Sequence, residues 1–200
     1  MNALASLLSL HVNDGYVPLS AYDDIMAQTS YTFREVEEAV FAQGWMPLRY
    51  QRNTQSLSQK EQASLFHAHV LVIGCGGLGG HVAELLTRIG VGNMTLFDGD
   101  VYEEHNLNRQ NFSTPAMIGL PKVTVVSKAL EAINPALNVY PHHLYFNETN
   151  AHGFLKGIDV VIDALDFPEM KLFTASTCKE KNIPFVHGAI AGWFAQVSTS

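Results

Sequence analysis

Apolar positions in the first 46 residues recur at helical spacing in three short runs: a leading ALASLLSL, then SAYDDIMAQ, then FREVEEAVFAQ closed by Gly44. Thr32, with Glu35 three residues later, has the form of an N-cap with its capping box. Residues 47–68 read as a polar connector containing a helix that starts at Ser58, followed by Gln59, Lys60 and Glu61. From His69 the pattern changes. HVLVIG is a β-branched run ending in glycine, LGGHVAELLTRIG carries Val82, Leu85, Leu86 and Ile89 at helical spacing, and MTLFD is again a strand. A helix after Gly119 runs through Lys122, Val126, Leu130 and Ile133 and stops at Pro135. NVYPHH, a helix near Phe154, the strand DVVIDAL, a helix over Pro168–Glu180 and the strands PFVHGAI and WFAQVSTS complete the series. Strands separated by long helices predict an α/β fold, a mostly parallel sheet with helices on both faces, over residues 69–200. A small helical appendage over residues 1–46 precedes it. No internal repeat interrupts the pattern. The last strand reaches Ser200 with nothing to cover its edge, so a further C-terminal part of the domain is expected.

Composition narrows the choice of partner. At 47% hydrophobic and 16% charged residues, a 200-residue chain buries one real core, which excludes intrinsic disorder. Its formal charge of −7 repels phosphate backbones and anionic lipid, so neither nucleic acid nor membrane is an expected partner. The short N-terminal helices invite comparison with a helix-turn-helix. Arg34 is their only Lys or Arg, however, against Asp14, Asp23, Asp24, Glu35, Glu37 and Glu38, the wrong sign for DNA. Two cysteines, Cys75 and Cys178, supply neither a disulfide framework nor a four-cysteine zinc site, which favours a reduced, cytoplasmic setting. The opening segment has no Lys or Arg ahead of its apolar stretch and no small-residue cleavage box, unlike a signal peptide. The uncharged stretch from Gln62 to Ala83 holds five glycines and three histidines, which marks strand and loop instead of a membrane span.

Gly74-Cys75-Gly76-Gly77-Leu78-Gly79 satisfies G-x-G-x-x-G between a predicted strand and a predicted helix, and Asp98 ends the next strand about twenty residues on. Such a turn lets backbone approach phosphate at a helix N-terminus, while the carboxylate accepts from ribose hydroxyls. These features make the fold Rossmann-like and imply a nucleotide site. Alone they fit a dinucleotide dehydrogenase best, and the glycines do not separate NAD from ATP. The segment DGDVYEEHNLNRQNFSTPAMIGLPK adds Arg109 and Lys122, with Asn106 and Gln110 beside them. Lys122 opens a helix, where the dipole disfavours a cation, and a cation so placed implies an anionic ligand. Backbone N–H groups suffice for an NAD pyrophosphate, whereas attack on an ATP α-phosphate needs charge neutralised on the leaving pyrophosphate. The two cations therefore favour ATP.

The runs GCGGLGG, DGDVYEEHNLNRQ, GLPK, INP and VVIDALD, with RYQRN upstream, resemble the ThiF/MoeB/HesA family of bacterial relatives of ubiquitin-activating enzymes, over about Leu48 to Ser200. The resemblance implies a Rossmann-like core that binds ATP with Mg²⁺. It implies adenylation of the C-terminal glycine of a small ubiquitin-fold sulfur carrier ending in Gly-Gly, with release of pyrophosphate, by a homodimer. Carried onto the matching positions, Gly74, Gly76, Gly77 and Gly79 would line the phosphates and Asp98 would hold the ribose. Asn106, Arg109 and Gln110 would bind the β- and γ-phosphates, and Lys122 would lie near the α- and γ-phosphates. Asp166 would face Mg²⁺ and the reacting phosphate, and Arg52 of RYQRN would reach the partner subunit's ATP. Asp163, three residues earlier at the end of the apolar strand, is the alternative magnesium acid; Asp166 is preferred. Two other readings stay open: a same-fold enzyme activating a peptide terminus or acting in tRNA modification, and a nucleotide-binding module without turnover.

Departures from the family are equally specific. Many members carry a catalytic cysteine and paired C-x-x-C zinc ligands, and neither occurs within these 200 residues. Cys75 reads as a small side chain packed under the phosphate turn and Cys178 as a core thiol on a helix. Among the histidines, His67 and His69 read as alternating on a strand, and His105 abuts the NLNRQ run.

Overall fold

A computed structural model describes residues 3–200 of the chain. Three helices, α1 (Ala3–Ser9), α2 (Leu19–Gln28) and α3 (Phe33–Ala42), pack through Leu4, Leu8, Tyr22, Ile25, Val36 and Val40. Two short strands, β1 (Tyr16–Val17) and β2 (Met46–Pro47), pair in parallel at their flank. The capping box at Thr32 is present, and a second one at Ser58 with Glu61 starts α4 (Gln59–His67). Each supplies acceptors for helix-end N–H groups and is worth about 1 kcal/mol.

Between β2 and α4 the chain does not run free. Residues Leu48–Gln55 form a 3₁₀ helix whose Tyr50 is buried and whose Asn53 donates to Gln62 Oε1 at 2.8 Å. His67 is the last residue of α4, so it does not alternate with His69 on a strand as expected; the C-cap at Ala68 separates them.

The remaining chain folds as β3 (His69–Ile73), α5 (Gly77–Ile89), β4 (Asn93–Phe97), α6 (Lys122–Ile133), β5 (Asn138–His142), α7 (Glu148–Phe154), β6 (Val160–Asp163), α8 (Pro168–Glu180), β7 (Phe185–Ala191) and β8 (Phe194–Thr199). The sheet order is β5-β4-β3-β6-β7-β8, parallel except for β8, which returns antiparallel on β7. Alternation assigns the two faces. Val70, Val72, Met94 and Leu96 pack under α5 and α6 with Ala83, Val126 and Leu130. Leu71, Ile73, Phe97 and Val161 face α7 and α8 with Leu155 and Cys178. Both faces of the central strands are thus apolar, as a covered parallel sheet requires. The strand order reverses between β3 and β6, and ligands of open α/β sheets gather at the carboxyl ends of strands at such a switch point.

Candidate functional site

A cavity of about 1040 Å³ opens at that switch point. Its floor is the turn after β3. Gly74 has φ +94°, which a residue with a Cβ rarely adopts, and its N–H donates to Phe97 O at 2.7 Å. A Cβ at Gly79 would stand 1.8 Å from Gly74 O, so this glycine lets α5 approach the strand end. Gly76 and Gly77 differ: a Cβ there would meet nothing nearer than 3.6 Å, the neighbours being the Gln110 side chain and the side chain and carbonyl of Arg109, two residues that line the cavity. No close contact demands glycine at these two positions, and both face the cavity. Gly76 caps α5 without a side-chain hydrogen bond, leaving first-turn N–H groups for an anion.

Asp98 directly follows β4 and accepts Cys75 N–H at Oδ2 and Asp100 N–H at Oδ1, both at 2.8 Å. Burial nonetheless pushes its carboxyl above the ordinary value, against those two bonds. The neighbouring Cys75 thiol is held well above its ordinary value, first by burial and then by the Asp98 charge, which makes it a packing residue and a poor nucleophile.

Lys122 opens α6 and is buried apart from the cavity it lines. Its Nζ donates to Asp100 Oδ2 at 2.9 Å, and Asp100 Oδ1 accepts from Tyr145 OH at 2.8 Å. Partial burial works against the Asp100 carboxylate, but the bonds from Lys122 and Tyr145 outweigh it and hold its pKa below the usual value. The anion that a cation at a helix start demands is therefore provided within the chain. Asp100 was missed by sequence reasoning although it stands two residues after Asp98. Nothing local marks Tyr145.

Asn106 is buried and its Oδ1 accepts Glu103 N–H at 3.0 Å, shaping the short turn that presents Arg109 and Gln110. The Arg109 guanidinium donates to His105 O at 2.8 Å and to Asn108 Oδ1 at 2.9 Å while its stem lies beside Gly77. Gln110 is buried, and its Oε1 has no hydrogen-bond partner although the residue lines the cavity. An orphaned buried acceptor is costly, and a bound donor would relieve it.

The two acids after β6 separate. Asp163 is fully buried; its Oδ2 accepts from Lys171 Nζ at 3.0 Å and lies 2.9 Å from His187 Nδ1, while Oδ1 accepts Leu165 N–H at 3.0 Å. Asp166 is exposed and lines the cavity. Arg52 is not brought to the cavity of its own chain: it is exposed on the 3₁₀ helix. The structure thus gathers Gly74, Gly76, Gly77, Asp98, Asn106, Arg109, Gln110, Lys122 and Asp166 around one cavity, with Gly79 behind the loop and Arg52 apart.

A doubly wound α/β domain with a glycine turn, two cations and a carboxylate around one crevice at its switch point defines the class. The chain belongs to the ThiF family, whose model matches residues 50–200. Among curated relatives, the SAMP-activating enzyme E1 of Haloferax volcanii is 34% identical over 154 residues, 76% of this chain and 57% of that protein. The molybdopterin-synthase adenylyltransferase of Haemophilus influenzae is 33% identical over 153 residues, covering 76% and 63%. Among solved structures, E. coli tRNA N6-threonylcarbamoyladenosine dehydratase, TcdA, in complex with ATP superposes with a TM-score of 0.70 at 30% identity, covering 73% of this chain and 61% of that one. The chain therefore spans about three fifths of each. No helix among the described residues is long and apolar enough to cross a membrane.

Proposed function

We propose that this chain binds ATP with Mg²⁺ and adenylates the C-terminal glycine carboxylate of a small ubiquitin-fold sulfur carrier, of the type used in thiamine or molybdopterin synthesis. The observation that carries the reading is the pairing of an open cradle at Gly76 and Gly77 with Lys122, Arg109 and the donor Nε2 of Gln110 around it. The carrier carboxylate, already ionised, attacks the α-phosphorus in line; the bond to the bridging oxygen breaks and pyrophosphate leaves, giving an acyl-adenylate. No protein nucleophile takes part. Arg109 and Lys122 stabilise charge on the transferring phosphates, and first-turn N–H groups of α5 hold them. Asp98 receives the ribose hydroxyls. Mg²⁺ supplies charge neutralisation on the phosphates. The donor set suits it: Asp166 offers one hard oxygen ligand, and no group of three His, Cys, Asp or Glu gathers among the described residues for a more protein-rich site. The partner subunit of a homodimer contributes its Arg52, and the site works in the cytoplasm. Exposed apolar Phe167 and Ile190 on the cavity rim suit a polypeptide acceptor better than a small acid.

The structural likeness to TcdA favours a second reading, activation of a carboxylate carried on tRNA, against which the net charge of −7 weighs. Calorimetry should find Mg-ATP bound and NAD not; NAD bound at least as tightly sinks the adenylation reading. Pyrophosphate exchange supported by a Gly-Gly-ending carrier and not by tRNA separates the two acceptors, and ATP binding with no exchange for either acceptor leaves only a binding module.

A further inference from the structure

Helix α3 lies outside the stretch matched by the family model, yet it grips the segment that carries Arg52. Glu37 of α3 is fully buried and is paired with Arg49 of the 3₁₀ helix, and it also accepts from Tyr22 OH at 3.2 Å. Burial pushes the Glu37 carboxyl upward, opposed chiefly by Arg49. Arg49 additionally donates to Asn134 Oδ1 at 3.1 Å, and Asn134 Nδ2 donates to Tyr50 OH at 3.1 Å. One helical turn before Glu37, Arg34 donates to Gly92 O at 2.6 Å and to Ala136 O at 2.7 Å, and its guanidinium lies 4.6 Å from the Phe66 ring centre. Positions three apart share a helix face. One face of α3 therefore holds the sheet domain with Arg34 and the arginine segment with Glu37.

The segment needs such support. Runs of 3₁₀ helix beyond three or four residues are uncommon because their hydrogen bonds are poorly aligned, and this one has eight residues. At three residues per turn, Arg49 and Arg52 eclipse on one side, about 6 Å apart along the axis, while Tyr50 and Asn53 eclipse on the next. Both residues of the second pair are pinned, Tyr50 by Asn134 and Asn53 by Gln62 and Ile89 O. The Arg49–Glu37 pair fixes the turn of the 3₁₀ helix that precedes Arg52. Glu37 also neutralises the cation that would otherwise stand one turn from Arg52.

We infer that α3 is a strut, with Glu37 a positioning residue that aims Arg52 at the nucleotide bound by a second copy of this chain. The inference rests on the role proposed above for Arg52. The test is calorimetric binding of Mg-ATP to the full chain, with fold and association state checked for each variant. Arg52→Ala should weaken binding about tenfold or more, as loss of a charge-assisted phosphate contact does. Glu37→Gln should weaken it severalfold, and the double variant should bind no worse than Arg52→Ala alone, because without Arg52 there is nothing left to aim. A double variant weakened by the product of the two single effects overturns the strut, as does a folded Glu37→Gln chain that binds like wild type while Arg52→Ala does not. Wild-type binding by Arg52→Ala sinks the role of Arg52 and the strut with it. If Glu37→Gln fails to fold, Arg49→Lys takes its place in the same cycle, keeping the charge but losing the fork that spans Glu37 and Asn134.

Discussion

Alanine substitutions along the phosphate turn should split into two phenotypes. At Gly79 a methyl group would lie 1.8 Å from Gly74 O and 2.8 Å from Gly74 C, with Ala164 Cβ at 3.2 Å behind them. Two of those neighbours are backbone, so the strain cannot be relieved by a side chain turning away; α5 must back off the end of β3. Overpacking of this kind costs about 1–3 kcal/mol, and the backbone contact places it at the upper end. For a chain of this size each kcal/mol lowers Tm by about 2–4 °C, so Gly79→Ala should melt roughly 6 °C or more below wild type. At Gly76 and Gly77 the nearest atoms stand at 3.6 Å, ordinary contact, and neither residue has positive φ. Those variants should melt within about 2 °C of wild type, because no native contact is strained. They should nevertheless lose ATP affinity by about tenfold or more, since the added methyl fills the space through which phosphate reaches the backbone N–H groups. Thermal unfolding and calorimetry on the three variants decide the matter. A Gly76→Ala chain that melts as low as Gly79→Ala, or that binds ATP like wild type, refutes the distinction between glycines needed for packing and glycines needed for a ligand.

Lys122→Ala and Arg109→Ala should each remove most ATP/pyrophosphate exchange, by about 10²–10³ if the loss resembles that of an oxyanion donor, with the far-ultraviolet circular dichroism spectrum unchanged; exchange within a few-fold of wild type refutes the assigned role. Mixed dimers of an Arg52→Ala chain with a Lys122→Ala chain should regain part of the exchange that neither homodimer shows, since one composite site then holds both cations; dimers that form yet stay dead place Arg52 in cis or outside the reaction. Because burial raises both thiols, Cys178 to about 11, iodoacetamide at pH 8 should leave Cys75 and Cys178 unmodified until the chain is unfolded, as read by mass spectrometry. The lowered pKa of Asp100 gives a stabilising contribution that is full above the ordinary carboxylate range and lost as pH falls below about 4; urea unfolding of Asp100→Asn should therefore show a shallower acid dependence than wild type, and identical slopes count against the Lys122 pair.

Much of the fold was legible because its determinants are local. The capping boxes at Thr32 and Ser58 are four-residue signals, and the odd and even residues of HVLVI divide between the two cores as two-residue periodicity demands. Tertiary pairing has no such period. Nothing near Glu37 announces that it is buried against Arg49, and the polar composition of residues 48–55 gave no sign that they dock on α3, α5 and the end of α6. The choice between Asp163 and Asp166 was open for the same reason. Both lie at the carboxyl edge of the sheet, and only the placement of Lys171 and His187, on α8 and β7, shows that Asp163 is already engaged.

Lys122 shows how far local reasoning carries and where the structure changes its meaning. A cation at a helix start is opposed by the dipole, so an anion had to be near. Asp100 is that anion, 2.9 Å away and itself held by Tyr145, which lies over Gly99. A triphosphate entering the cavity therefore meets a lysine that already has a partner, and its charge must outcompete a half-exposed carboxylate for the same ammonium. That exchange is feasible because Asp100 is partly solvated and can return to water, whereas the Asp163–Lys171 pair has a carboxylate with no exposure at all and cannot separate without leaving a buried charge. Asp100, Lys122 and Lys171 line the crevice, while Asp163, beside Ile73 at the strand end, stays buried against Lys171 and His187; of the two lysine–aspartate pairs, only the first has an acid that can be released to water.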